Sequence, residues 1–295
     1  MRLASFVFAF VLSAFAGAAQ AQVVTLNKGG FVLTYDCSIH SATRYEYTLT
    51  ADTGSAARPS SFYKDPDLPA GCLGQTSTAS YASIRSGYDR GHLVTSNHMD
   101  YDATYIRRAN YMTNIVPQVS SFNQGIWVKA ENVAECYRDI APVDVYGGVV
   151  YGDAANDYFL ASHGIPTPEF FWKTIITRDP NTGTAKAISW IIPNEANLGS
   201  LDNYLVTIAD LEELLGASYV AINAPTSLKN MLPAYFTALG TSSSAATIPV
   251  TYESTLKNNV DEDVAGFVVP LCATIQLSGS MMKIMLYALS IVYMA

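Results

Sequence analysis

Charge is scarce in this sequence. Its 17 Lys+Arg and 25 Asp+Glu make up 14% of the 295 residues, where soluble domains average about 25%. Basic charge is the scarcer sign, and the net −8 excludes a protein that coats nucleic acid by bulk charge. Any such contact has to be local, or made through a metal. No internal repeat is visible, and a hydrophobic content of 49% excludes a disordered chain, a coiled coil and a collagen-like repeat. The length suits one large domain or two small ones. Asn-x-Ser/Thr acceptors are absent, so glycosylation says nothing about export.

Cysteine is limited to Cys37, Cys72, Cys136 and Cys272. No pair has the C-x-x-C spacing of a zinc site, so disulfides are the expectation, with three connectivities open. An oxidising compartment agrees with the N-terminus. There Arg2 precedes an apolar run from Ala4 to Ala18, and Ala19-Gln20-Ala21 forms an A-x-A exit. Residues 1–21 read as a signal peptide, residues 22–240 as one domain, and residues 241–295 as a low-complexity linker and hydrophobic tail. The tail holds an acidic patch at Asp261-Glu262-Asp263 and a nearly uncharged end after Lys283. Its last apolar stretch is too short to cross a bilayer. Small residues at Ser278-Gly279-Ser280 resemble a lipid-anchor signal that lacks its polar spacer. The location is therefore secreted, with membrane association only if the tail is an anchor or anchor signal.

Strands are expected at 31–35, 44–49, 143–151, 170–177 and 185–192, from β-branched and aromatic residues bounded by Gly, Pro or Asn. A further strand is expected near 110–116. Residues 57–75 are rich in Pro, Ser, Asp and Gly and form a loop. Asp179-Pro180-Asn181-Thr182-Gly183 marks a hairpin turn. Helical spacing of Ile126, Val133, Ala134 and Tyr137 predicts a helix between 122 and 140. Thr207 is placed to cap a second helix over 208–215 that Gly216 stops.

Two blocks carry the chemistry: Asp89-Arg90-Gly91-His92, and Met112-Thr113-Asn114-Ile115-Val116-Pro117-Gln118 followed by Asn123-Gln124-Gly125, Trp127 and Glu131. They supply what a phosphodiester hydrolase needs. His92 has an unperturbed pKa of about 6.5 and can take a proton from water, so activity is expected to fall as the pH drops through the pKa of His92. Arg90 offers a planar fork to phosphate oxygens. Gly91 lets the backbone bring both side chains to one place. Asn123 is a neutral oxygen ligand for a hard cation, and Glu131 a carboxylate eight residues on. On a regular helix that spacing gives about 12 Å of rise and about 80° of rotation, so the two cannot both touch one bare ion. They can share a hydrated one, which suits Mg²⁺. His40, His98 and His163 read as structural hydrogen-bonders, and Trp127 and Tyr137 as core. Asp89 is placed to orient the turn or His92, or to pair with Arg90.

The two blocks resemble the DNA/RNA non-specific endonuclease family, sugar-non-specific nucleases of the ββα-metal fold. The resemblance covers most of residues 30 to 235, with Thr167-Pro168-Glu169-Phe170-Phe171-Trp172-Lys173 and Ile191-Ile192-Pro193-Asn194 similar to later strands of that family. It implies an α+β fold with a central, mainly antiparallel sheet flanked by helices. It implies a secreted endonuclease that hydrolyses DNA and RNA with little sequence preference and leaves 5′-phosphate ends. One Mg²⁺ would serve it, with Mn²⁺ or another divalent cation as alternatives. His92 would be the general base and Asn123 the metal ligand, Glu131 would support metal-bound water, Arg90 would contact phosphate, and Asn114 would orient the site. The family usually has Pro three residues after the motif's His, where this chain has Thr95. The family also uses an upstream arginine. Arg58 is the nearest candidate, with Arg85, Arg107 and Arg108 as alternatives. Nucleic acid is the only partner implied, and no protein partner is inferred. Two rival readings stand beside this one: an inactive secreted nucleic-acid-binding module on the same scaffold, and a metal-dependent phosphoesterase acting on small phosphates.

Overall fold

Neighbouring residues Phe171 and Trp172 sit on one strand and are both fully buried. Successive side chains of a strand point to opposite faces, so the sheet that carries them is covered on both sides. The computed structural model describes residues 22–231, with 262–264 and 266 beyond them. The signal-peptide reading, Cys272 and nearly all of the tail, its anchor-like residues included, lie outside the described residues.

The sheet has seven strands, all paired antiparallel, in the order β1-β2-β3-β6-β7-β8-β9. These are β1 (Val23–Asn27), β2 (Val32–Asp36), β3 (Ser41–Leu49), β6 (Val143–Val150), β7 (Phe170–Arg178), β8 (Ala185–Pro193) and β9 (Leu205–Val206). β4 (Tyr88–His92) and β5 (Ile115–Val119) form a separate antiparallel pair. The helices are α1 (Ala103–Ala109), α2 (Val128–Arg138), α3 (Leu160–His163), α4 (Ile208–Leu215), α5 (Ala217–Val220) and α6 (Thr226–Lys229). Phe171 packs with Phe122 and Trp127 at ring separations of 5.0 and 5.3 Å, in the larger core under β4, β5 and α2. Trp172 points the other way, into a second core with Ile208, Leu211, Val220 and Leu228 from the C-terminal helices and Ile222 from the segment between α5 and α6. Burial on both faces explains why β7 is buried almost without interruption rather than alternating.

The expected hairpin joins β7 to β8. Asp179 accepts the backbone N–H groups of Asn181 and Thr182 at 3.0 and 3.1 Å, and Gly183 takes the positive φ of +69° that closes the turn. Thr207 and Asp210 form a reciprocal capping box at the start of α4. The strand expected near 110–116 begins later: Met112–Asn114 is a 3₁₀ turn and β5 runs from Ile115 to Val119. Pro117 is tolerated there because a two-stranded ribbon leaves free edges. Of the four cysteines, Cys37 and Cys72 are bridged, and Cys136 is an exposed free thiol on α2. Among the described residues no helix is long and apolar enough to cross a membrane.

Asn194, just after β8, fastens the small ribbon to the large sheet. Its Oδ1 accepts the Val119 N–H at 2.8 Å, and its Nδ2 donates to the carbonyls of Pro117 and Pro168. The chain leaving β5 thereby enters the next helix from a fixed point.

Candidate active site

Pairing with β5 makes Tyr88–His92 an extended strand, so Arg90 and His92 share one face while Asp89 and Gly91 face the other. Gly91 is required for space: a Cβ there would overlap the Gln118 side chain lying across it. Arg90 and His92 line a cavity of about 310 Å³ together with Arg58, Thr95, Asn123 and Glu131. Arg85, Arg107 and Arg108 are not among its lining residues. The first two stack on Tyr158 and Tyr63, and Arg108 donates to the Lys28 carbonyl.

His92 is 8% exposed. Its Nε2 lies 2.9 Å from Asn110 Oδ1, while Asn110 Nδ2 donates to the carbonyls of Pro59 and Ser61 at 2.9 and 3.0 Å. Two carbonyl acceptors hold the amide nitrogen on their side, so the oxygen faces the imidazole and Nε2 must carry a hydrogen. Nδ1 is then the unprotonated nitrogen of the neutral ring. Burial lowers the His92 pKa, and the positive charges of Arg58 and Arg90 lower it further. Together they outweigh the Asn110 bond and bring it to about 4. This corrects the expectation of a base titrating near 6.5.

Sequence reasoning missed Asn110, a buried asparagine in an unremarkable Ala-Asn-Tyr context. Its signal exists only in three dimensions. Asn110 joins the general-base candidate to the loop that presents Arg58. That loop is also held by the ion pair of buried Lys28 with Asp65 at 2.6 Å, and by Thr113 donating to Asp65 at 2.6 Å. Arg90 donates to the Thr78 carbonyl at 2.7 Å and lies flat over Phe62 at 4.0 Å. Both contacts restrict the fork.

Asn114 is not brought into the cavity. It is fully buried, with Nδ2 donating to Val94 and Ala109 carbonyls and Oδ1 accepting the Val94 N–H. It braces the backbone two residues beyond His92. Asp89 neither pairs with Arg90 nor touches His92. Its carboxylate accepts from Ser120, Asn123 Nδ2 and Gln124 at 2.7, 2.9 and 2.7 Å. Burial raises its pKa, yet these donors outweigh that and leave it lowered. His98 and His163 are hydrogen-bonded, buried side chains.

The helix expected over 122–140 is not regular. Phe122–Trp127 is a π-helix that runs directly into α2. A π turn, with i→i+5 bonds, rotates less per residue than an α turn. It therefore takes back part of the 80° offset, and Asn123 and Glu131 line one cavity.

The donor set fits a hard, hydrated cation. Asn123 Nδ2 is occupied by Asp89, which turns Oδ1 out as a neutral oxygen donor. Glu131 Oε1 accepts from Thr95 at 2.7 Å, leaving Oε2 for coordinated water. Among the described residues no three His, Cys, Asp or Glu gather to enclose an ion. Such a donor set suits a cation that keeps most of its waters, as Mg²⁺ does. Beneath Glu131 lies Lys173, fully buried, its Nζ 4.1 Å over the Trp127 ring. Burial pulls its pKa down to about 8, and the Glu131 charge opposes this.

The model of the DNA/RNA non-specific endonuclease family matches residues 13–225. A second model, for the sodium:dicarboxylate symporter family, matches residues 207–295, under a third of the chain. Nuclease C1 of Cunninghamella echinulata var. echinulata is 25% identical over 210 residues, 66% of this chain and 81% of that protein. A nuclease of Nostoc sp. is 27% identical over 212 residues, 67% and 73% of the two chains. The nuclease of Serratia marcescens is 23% identical over 198 residues, 65% and 73%. The solved structure of an EndoG/EndoGI complex contains a similar fold. Its TM-score is 0.54 at 20% identity, covering 68% of this chain and 86% of that one.

Proposed function

Because this chain belongs to the DNA/RNA non-specific endonuclease family and is a nuclease that hydrolyses phosphodiester bonds, we propose that it is an exported, Mg²⁺-dependent enzyme. It cleaves both DNA and RNA and leaves 5′-phosphate ends. The observation that carries this reading is the convergence of His92, Arg58, Arg90, Asn123 and Glu131 on one cavity, with the His92 tautomer set by Asn110. Export is supported by the leader-like N-terminus and by the Cys37–Cys72 bridge. The folding unit is taken as residues 22–240.

In this reading His92 Nδ1 accepts a proton from the attacking water, and the Asn110 bond keeps the ring in the tautomer that can do so. Arg58 and Arg90 bind the non-bridging oxygens of the scissile phosphate and offset the charge that builds there. Asn123 Oδ1 would be the direct ligand of the divalent cation, and Glu131 would hold its water. Such an ion, when bound, would supply Lewis-acid stabilisation of the developing charge. None of these contacts is to a base, which fits weak sequence preference.

The test is incubation of plasmid DNA and structured RNA with the protein in Mg²⁺ or EDTA. Both polymers should be cut in Mg²⁺ only. His92→Ala and Asn123→Ala should each lower turnover by about 100-fold or more with unchanged circular dichroism. Near-normal turnover of either variant would sink the assignment.

A further inference from the structure

Thr95 occupies the N-cap position of the 3₁₀ turn Ser96–Met99, in extended backbone geometry. A threonine there ordinarily turns its hydroxyl back onto the first free backbone N–H groups. This one makes no capping bond. Its Oγ1 instead donates at 2.7 Å to Glu131 Oε1, 36 residues away on α2. The Tyr47 hydroxyl lies 2.7 Å from His98 Nδ1, and His98 Nε2 faces Glu135 Oε1 at 3.1 Å. Tyr47 and His98 are buried. Thr95 thus reaches α2 at Glu131, and the row Tyr47–His98–Glu135 reaches it one turn further on.

We propose that Thr95 is a positioning residue for this nuclease: its hydroxyl fixes the Glu131 carboxylate so that Oε2 alone is presented to the hydrated cation. The inference rests on the Glu131 role proposed above. Glutamate has three side-chain torsions, and a carboxylate left to rotate samples orientations that cannot receive metal-bound water. One short hydrogen bond from the Thr95 hydroxyl restricts that freedom before the cation arrives. Proline, usual at this position in the family resembled, has no hydroxyl to give. The tether is thus a feature of this sequence.

The test compares Thr95→Val, Thr95→Ser, Glu131→Gln and the Thr95→Val/Glu131→Gln double variant in the full chain. Readouts are kcat and KM on plasmid DNA, and the Mg²⁺ dissociation constant by calorimetry without nucleic acid. Thr95→Val should lower kcat and weaken Mg²⁺ binding, each by about tenfold, with KM nearly constant. Thr95→Ser, which keeps the hydroxyl, should recover most of both. In the Glu131→Gln background the valine should cost nothing more. Wild-type kcat and Mg²⁺ affinity in a folded Thr95→Val, or a full additional loss in the double variant, would overturn the inference while the nuclease reading stands. Wild-type turnover of Glu131→Gln would instead overturn the reading on which it rests.

Discussion

His92 is depressed to about 4 by burial and by Arg58 and Arg90, and that fixes the sign of its pH dependence. A base must be unprotonated to act, so lowering its pKa extends the active form to more acid solution. The acid limb of kcat/KM, which reports the free enzyme, should lie near pH 4, and the rate should be flat between 5 and 8 as far as His92 is concerned. A bound phosphate offsets both arginines, so the limb of kcat should lie at higher pH than that of kcat/KM. Asn110→Asp puts a negative charge 2.9 Å from Nε2 and should move the kcat/KM limb upward. A wild-type limb near 6.5, or one that Asn110→Asp leaves in place, would contradict this account. At this scale the sequence was partly legible. His92, Arg90, Asn123 and Glu131 were marked by motif and spacing, and all four line the cavity. Asn110 was not, because its function is defined by two loop carbonyls about fifty residues upstream. Asn114 carried the motif signal while its side chain bonds only to backbone.

Among the elements, the π-helix at Phe122–Trp127 sets the relation between Asn123 and Glu131. Gly125 lies within it, and a Cβ added there would meet nothing. Deleting Gly125 should let the segment relax to α geometry, in which the seven remaining steps from Asn123 to Glu131 sum to about 700° and keep the two within about 20° of one face. Cleavage should then survive within about tenfold, while Ala130 and Ala134 keep α2 seated in the core. Nuclease assays beside circular dichroism and a cooperative melt would check this, and a loss of about 100-fold or more would mean that the extra residue of the π turn is itself needed. Hydrophobic periodicity registers a helix here but not its hydrogen-bond spacing, which is why the π turn escaped the reading. The long strands β3, β6, β7 and β8 were legible from their composition, and α4 from its cap and stop. β4 was not recognised as a strand, because Asp89, Arg90, Gly91 and His92 include no β-branched or aromatic residue to mark it. α1, with seven residues, is too short to display a helical period.

For the whole molecule, the balance of −8 and the two arginines of the cavity predict shallow electrostatic binding. With Mg²⁺ held constant, log KM for duplex DNA against log monovalent salt should change with a slope of about 1 in magnitude, the value for the single scissile phosphate that both arginines bind in the proposed reading. A slope beyond about 4 would require cations outside the cavity. The three layers hold this sparsely charged cleft through one polar bracket, Asn194, and through the loop that carries Arg58. The Cys37–Cys72 bond closes that loop across a separation of 35 residues, a constraint worth about 4 kcal/mol in chain entropy. The covalent ring encloses β3 and Arg58 but not His92, Asn123 or Glu131. Reduction would therefore loosen the Arg58 loop directly, and His92 with it, because Asn110 holds the imidazole through the Pro59 and Ser61 carbonyls of that loop. In the proposed reading both the grip on phosphate and the tautomer of the base are thus tied to the redox poise of the surroundings.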